Sequence, residues 1–393
     1  MKIKLSIIGG GTAGLLAAAF LDPTKYNITI YDQKLTSGRK FLVAGTGGFN
    51  LTHSEHIDQM VDRYTPSGFL SQSLRYFTNE DFKNWLESIG IPTFVGSSKR
   101  VFPVWGIKPI KVLSAITEYL KSKGVTFIYG KRFTGWSNGK LVFGGEELIH
   151  SDINIFALGG ASWSVTGSDG LWIDTFSNKG INTVPFVAAN CGFHVDWESG
   201  FLCQYEGKPL KNISCSIGNQ HQKGEAVITS SGIEGNAIYA LSPLIQNDLK
   251  SKGEAIVHID FKPMLTREVV LSKLSESTLK VTETLRRKMN LSPLQIQLIK
   301  HDLSKQEFLD VNTLTNTIKG MPLVLTGSAS VEEAISTSGG IDLSEISEHY
   351  ELKKLSHNYC IGEMLDWNAP TGGYLIQACA SMANYVAHHI NTL

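Results

Sequence analysis

The sequence predicts an α/β fold, a Rossmann-like dinucleotide-binding domain interrupted by an inserted region that is first β-rich and then helical. Three observations predict it. Leu5 to Ile8 is a β run that breaks into Gly9-Gly10-Gly11-Thr12-Ala13-Gly14, continues as the small, apolar Leu15 to Leu21, and is followed by Ile28 to Tyr31 and Asp32. Near Pro185 the pattern changes to short β runs, and from Pro263 to helical spacing. The last fifty residues return to glycine turns and end in a helix of small and apolar residues from Ile376 to Ile390.

The opening stretch reads strand, glycine turn, helix, strand, acid. Gly9 makes the tight turn, Gly11 lets backbone approach a pyrophosphate, and Gly14 lets the helix pack closely on the strand. The first helical turn, with Thr12 and Ala13, presents unpaired N–H groups and a partial positive charge to an anion. Asp32, at the end of the second strand, is placed to accept hydrogen bonds from a ribose. The turn alone fits NAD and FAD equally.

At 393 residues the chain is long for one core, and 42% hydrophobic with 18% charged residues describes an ordinary globular protein. Formal net charge is zero, which argues against nucleic acid as the main partner. Five scattered cysteines without a C-x-x-C exclude the usual zinc, iron–sulfur and dithiol signatures, so no metal is expected. Free thiols fit a reducing, cytoplasmic location. Beyond the glycine-broken N-terminal run, no stretch approaches the roughly 20 apolar residues that span a membrane.

After Asp32 comes a glycine-dense loop around two cations: Gly38, Arg39, Lys40, then Gly45, Thr46, Gly47, and Asn50, Leu51, Thr52, His53. It suits a loop along a phosphorylated cofactor, with Arg39 and Lys40 as phosphate partners. Leu74, Phe77, Phe82, Trp85 and Leu86 give one or two helices over 72–90, and Lys99 to Pro103 a turn and strand. A helix over 108–123 precedes a strand at Val125 to Tyr129, and 141–143 with 147–149 form an antiparallel excursion. The strand Ile153 to Leu158 runs into Gly159-Gly160-Ala161-Ser162, a second close-approach turn.

Residues 186–336 read as the insertion, β-rich over 186–262 and 321–336 and helical over 263–320, with Ser292-Pro293 as a cap and first helical proline. The nucleotide-binding domain is then residues 1–185 and 337–393. Scattered basic residues do not support a helix-turn-helix DNA reader. The closing segment carries Gly362-Glu363-Met364-Leu365-Asp366 and Thr371-Gly372-Gly373-Tyr374.

Together these motifs resemble the BaiN-like, aminoacetone-oxidase-family FAD-binding flavoproteins, also described as predicted NAD(FAD)-utilising dehydrogenases. The resemblance covers nearly the whole chain. It implies an FAD domain of glutathione-reductase type interrupted by a small β-barrel and a helical subdomain. It assigns Gly9, Gly11 and Gly14 to the FAD pyrophosphate and Asp32 to the adenosine ribose. Arg39, Lys40, Gly45 and Gly47 fall along the cofactor, Gly159 and Gly160 near its adenine half, and Gly362, Glu363, Gly372 and Gly373 near the ribityl chain and flavin. Two departures stand out: family members often have Glu at the Asp32 position, and many read Gly-Arg-Cys-Asn-Val-Thr-Asn where this chain has residues 47–53, without the Arg and Cys.

The resulting expectation is an FAD-dependent oxidoreductase, a reductase or dehydrogenase of a small or medium organic molecule, with non-covalent FAD. No second G-x-G-x-x-G and no redox cysteine pair are present, so NADH or NADPH is expected only as a transient donor. Candidates for contact with the reacting groups are His53, Trp367 and Tyr374; Glu363 fits ribityl hydroxyls better than a base's role, and Trp163 is a further candidate for a flat substrate's wall, while Trp172 reads more strongly as core packing. An amine or amino-ketone oxidase using oxygen, or an FAD-binding RNA-associated or redox-sensing protein, are the alternatives.

Overall fold

The computed structural model describes residues 2–43 and 49–393, and the chain divides into two units, 1–188 with 331–393 and 189–330. The first unit is built on five parallel strands in the order Asn358–Cys360, Ile153–Phe156, Ile3–Ile8, Tyr26–Asp32, Thr126–Tyr129. Their inner members are apolar on both faces because helices cover both sides of such a sheet. The opening strand lies at the centre, so the glycine turn emerges at the carboxyl ends of the strands, where α/β folds place ligands.

Thr12–Phe20 is buried along almost its whole length, which is why it is made of Ala, Gly and Leu. It packs against the 19-residue final helix, Tyr374–Thr392. The far ends of the two are pinned: Asn391 Nδ2 donates to the Phe20 carbonyl at 3.0 Å and the Tyr26 hydroxyl to the Ile390 carbonyl at 2.5 Å. Residues 72–90 form two helices, Ser71–Tyr76 and Asn79–Ser88, separated by a Thr78–Asp81 capping box. A three-stranded antiparallel sheet joins Thr52–His53, Arg100–Pro103 and Thr93–Val95. Ser336–Ile341 is a strand beside Thr183–Ala189, although its sequence shows only polar and glycine residues before Ile341.

The second unit carries a seven-stranded sheet, antiparallel throughout, with Met321–Leu325 at one edge and Gly327–Ser328 at the other. Only Thr326 separates these edge strands in sequence, so the sheet must curl until its edges meet, and the Thr326 amide donates to the His194 carbonyl at 3.1 Å. Five helices over 267–320 are inserted before the last long strand, one opened by a Ser292–Gln295 capping box with Pro293 at its first position. The stretch read as β-rich also contains the helices Ser199–Tyr205, Asn236–Tyr239 and Ser242–Lys252. Pro243 near the start and a left-handed Gly253 after the end of the last of these are the local signals for it.

Within the first unit the buried Gln377 ties three segments. Its Oε1 accepts the Thr52 hydroxyl at 2.6 Å, and its Nε2 donates to Ser381 Oγ at 3.0 Å and to the Phe77 carbonyl at 3.3 Å. Gln377→Leu leaves the Thr52 hydroxyl buried without a partner and is expected to cost about 1–3 kcal/mol. Chemical denaturation followed by circular dichroism reads this as a lower midpoint; an unchanged midpoint would contradict it.

Candidate functional site

The three motif glycines have different neighbours. A Cβ on Gly9 (φ +107°) would lie 2.3 Å from the Ala157 carbonyl oxygen, and one on Gly14 would lie 2.0 Å from that of Gly9. A Cβ on Gly11 meets nothing within 4 Å. Gly9 and Gly14 are therefore fixed by packing, whereas Gly11 faces open space at the helix start. That start has no side-chain cap and no acidic residue, and Leu15 is the first residue whose amide reaches back to the turn, at the Gly11 carbonyl. Gly11 is exposed and Thr12 half-buried, so the uncapped amides of this helix start are open to an anion.

Asp32 Oδ2 accepts the Gly10 amide at 3.0 Å and Oδ1 the Lys34 amide at 2.8 Å. Burial raises its pKa, and these two backbone hydrogen bonds and Arg39 only partly offset the shift. Gly38, at φ +69°, donates its amide to the Gly10 carbonyl, folding the following segment over the turn. Arg39 is exposed and begins the short helix Arg39–Val43. Ser37 Oγ is buried without a partner among the described residues.

Lys40 connects the remaining glycine turns. Its Nζ donates to Ser162 Oγ at 2.8 Å and to Glu363 Oε2 at 3.0 Å, joining positions 40, 162 and 363. Glu363 Oε1 is buried and has no partner among the described residues. Two indoles brace the turns from behind: Trp172 Nε1 donates to the Gly159 carbonyl at 3.0 Å and Trp367 Nε1 to the Gly362 carbonyl at 2.8 Å. A Cβ on Gly362 would come within 2.9 Å of the Ala13 side chain, so this turn abuts the first helix's opening residues. A Cβ on Gly160 would lie 2.0 Å from Thr337 Oγ1.

At the head of the final helix Gly373 (φ +102°) has no room for a side chain, since a Cβ would lie 2.5 Å from the Thr52 carbonyl. The helix again begins without a side-chain cap or an acid. Tyr374 donates its hydroxyl to Glu55 Oε1 at 2.6 Å, Arg63 Nη2 donates to Glu55 Oε2 at 2.9 Å, and the Tyr64 hydroxyl donates to the Tyr374 carbonyl at 2.9 Å. Burial and then the Glu55 carboxylate push the Tyr374 pKa far up, so its proton stays on oxygen. Burial also raises Glu55, but hydrogen bonds from Arg63 and Tyr374 outweigh it and hold the carboxyl low. The His53 ring stacks on Tyr374, centroids 5.1 Å apart, and its Nδ1 accepts the Glu55 amide at 3.2 Å. Burial lowers its pKa more than Glu55 raises it, so the ring is neutral with its proton on Nε2.

The contacts thus bring Gly9, Gly11, Thr12, Ala13, Gly14, Asp32, Gly38 and Lys40 together with Gly159, Gly160, Gly362 and Glu363, and set Gly372, Gly373 and Tyr374 beside Thr52 and His53. Gly45, Thr46 and Gly47 lie outside the described residues. Asn50 is half-buried. Two expectations need correction. The Thr52 side chain is completely buried and its hydroxyl is committed to Gln377, so it holds the final helix. Trp367, 3% exposed with its N–H on Gly362, is a brace and not the wall of an open site; Trp172 packs in the core, as expected for it, and Trp163 is exposed. Sequence reasoning missed Ser37, Glu55, Arg63 and Ser162. Glu55 lies two residues past His53, just beyond the 47–53 motif that differs from the family pattern, and that departure was the available signal.

The residues fit a long dinucleotide. Uncapped helix starts stand at Gly11 and Gly373, and the buried acceptor at Glu363 Oε1 and the Ser37 hydroxyl have no protein partner among the described residues. No group of three or more His, Cys, Asp or Glu side chains that could hold a metal occurs among the described residues, and no helix among them is long and apolar enough to cross a membrane.

A depressed His53 pKa gives a pH dependence of stability. The unfolded chain takes up the proton first, near the ordinary value of about 6.5. The contribution is fully present above that value and is lost as pH falls below it. His53→Gln is expected to flatten the stability profile between about pH 7 and 5, while His389, also lowered by burial, keeps its share. Denaturant midpoints across that range check this; an unaltered slope would contradict it.

Comparisons with known proteins place these features in a family. The chain is 25% identical over 410 residues to a ribosomal RNA dihydrouridine synthase of Haemophilus influenzae, covering 96% of each chain. It is 24% identical over 394 residues to a 3-dehydro-bile acid delta(4,6)-reductase of Clostridium scindens, covering 95% of each. Among solved structures, the open conformation of a flavocytochrome c3 fumarate reductase shares the fold at a TM-score of 0.51 and 12% identity, over 99% of this chain and 78% of that one. The family model described as HI0933-like protein Rossmann domain matches residues 3–389. The chain therefore belongs to the HI0933-like Rossmann-domain family and is an FAD-dependent oxidoreductase.

Proposed function

We propose that the protein is a reductase of a carbon–carbon double bond conjugated to a carbonyl, in a small or medium organic molecule, with NADH or NADPH as a transient donor. Two relatives matched over nearly their whole lengths support this, because saturating such a bond is common to what their names describe, a uracil ring in one and a steroid in the other. The structural observation that carries the cofactor half is the buried, unpartnered Glu363 Oε1, set between Lys40 and the first helix's start. The described cysteines form no disulfide or redox pair, four being buried and Cys203 exposed, which favours an external donor.

Bound FAD supplies the two-electron chemistry. The backbone at Gly11, Thr12 and Ala13 would hold its pyrophosphate, and Asp32 and the exposed Arg39 would serve the adenosine side. Gly159 and Gly160 allow close backbone approach. Glu363 would accept from ribityl hydroxyls through Oε1, while Lys40 keeps its other oxygen neutralised and aimed. The head of the final helix, Gly372, Gly373 and Tyr374, would offer its positive end to the flavin ring. Tyr374 is a poor proton donor while Glu55 holds its hydrogen, so it and His53 position this helix head instead of delivering the proton. In the net reaction NAD(P)H loses a hydride, and the double bond gains that hydride and a proton from solvent.

A uracil within RNA carries the same conjugated bond, and the name of the Haemophilus influenzae relative favours that second reading. The zero net charge favours the small molecule.

Gly11→Val is expected to leave the FAD-free protein as stable as the parent, because its Cβ meets no protein atom, while abolishing the yellow bound flavin. A variant that purifies with stoichiometric FAD would rule out the pyrophosphate placement. Under argon, NADH or NADPH is expected to bleach the flavin, and an enone substrate to restore it with a product two hydrogens heavier. Failure of both nucleotides to bleach it would remove the reductase reading and leave the oxygen-using oxidase.

A further inference from the structure

The three-stranded sheet that carries His53 presents an orderly strip. In the middle strand, Arg100–Pro103, Val101 and Pro103 are buried, while Arg100 and Phe102 point to the other face. His53 lies directly opposite Arg100, and Phe94 directly opposite Phe102. Directly opposed residues share a face, so His53, Arg100, Phe102 and Phe94 form one strip. The two phenylalanine rings stack at 5.7 Å with 28° between planes, and Phe94 is 40% exposed. At the inner end His53 stacks on Tyr374, and a Cβ on Gly372 would lie 3.2 Å from Arg100 Nε. The strip therefore runs from the head of the final helix out to solvent.

Arg100 is the unusual member. It is half-buried, and among the described residues its guanidinium has no ion pair or hydrogen bond, while the nearby Glu55 carboxylate is taken by Arg63 and Tyr374. A guanidinium brought out of full solvation without a carboxylate is normally paired with one, or with a ligand. Apolar rings on one side and a forked cation on the other match a flat molecule with an anionic group.

We propose that Arg100 is the anchor for an anionic group of the substrate, a carboxylate or a phosphate, and that Phe102 with Phe94 supports the flat conjugated body beside it. This rests on the placement of the flavin at Gly372 and Gly373. Arg100 and the rings determine specificity and take no part in electron transfer.

The test measures binding to the oxidised holoenzyme, with no donor present, by perturbation of the flavin spectrum. Its probes are cinnamate against neutral cinnamamide, and uridine 5′-monophosphate against uridine, separating carboxylate from phosphate. At least one anion is expected to bind about tenfold or more tightly than its neutral partner. Arg100→Gln should erase that difference with FAD content unchanged, and Phe102→Ala should weaken anion and neutral probe alike. The proposal is overturned if neither anion saturates the protein at millimolar concentration, if anion and neutral probes bind equally, if Arg100→Gln keeps the discrimination, or if that variant loses FAD, which would assign Arg100 to the cofactor. Because no turnover is read, the result is independent of whether a conjugated double bond is reduced.

Discussion

The cation of Lys40 is the interaction on which the rest of the site depends. It draws together Lys40 itself, beyond Tyr26–Asp32, the Ser162 that follows Ile153–Phe156 and its glycine turn, and Glu363 of the closing segment, 122 and 323 positions away in the chain. The pair with Glu363 is partly buried, with 27% and 15% of the side chains exposed, so both the attraction and the desolvation are larger than on an open surface. A carboxylate with one oxygen neutralised and the other buried without a partner is costly for a protein alone. It becomes reasonable once a hydroxyl-bearing ligand supplies the missing donor.

Around that contact the backbone is held rigidly from behind. Trp172 and Trp367 each give an indole N–H to the carbonyl of a glycine turn, and each is buried in the hydrophobic core. The glycines allow backbone to approach a ligand, and the indoles remove the freedom that glycine would otherwise keep. Buried Tyr64, Glu55, Tyr374 and Gln377 do the same for the head of the final helix. Two helix starts are thereby fixed in place without side-chain caps, leaving their amides for an anion or a polar ring edge.

Much of this was legible in the sequence because it is local. The order of strand, glycine turn, helix and acid depends on residues a few positions apart, as do the capping box at Ser292 and the final helix. Side-chain direction was not legible. Thr52 lies in a cofactor-like motif but turns inward to Gln377, which depends on a helix more than three hundred residues away. Trp367 looks like a substrate wall by residue type, yet its indole N–H turns inward to the Gly362 carbonyl. The strip of His53, Arg100, Phe102 and Phe94 exists only once three short strands pair, and Thr52–His53 is too short to show β periodicity.

A crystal structure of the FAD-loaded protein tests the split cradle most directly. The account predicts the pyrophosphate against the backbone of residues 11–13 and a ribityl hydroxyl donating to Glu363 Oε1, with Lys40 still on Oε2. A cofactor bound elsewhere, or a Glu363 Oε1 that faces only protein or water while FAD is present, would contradict it.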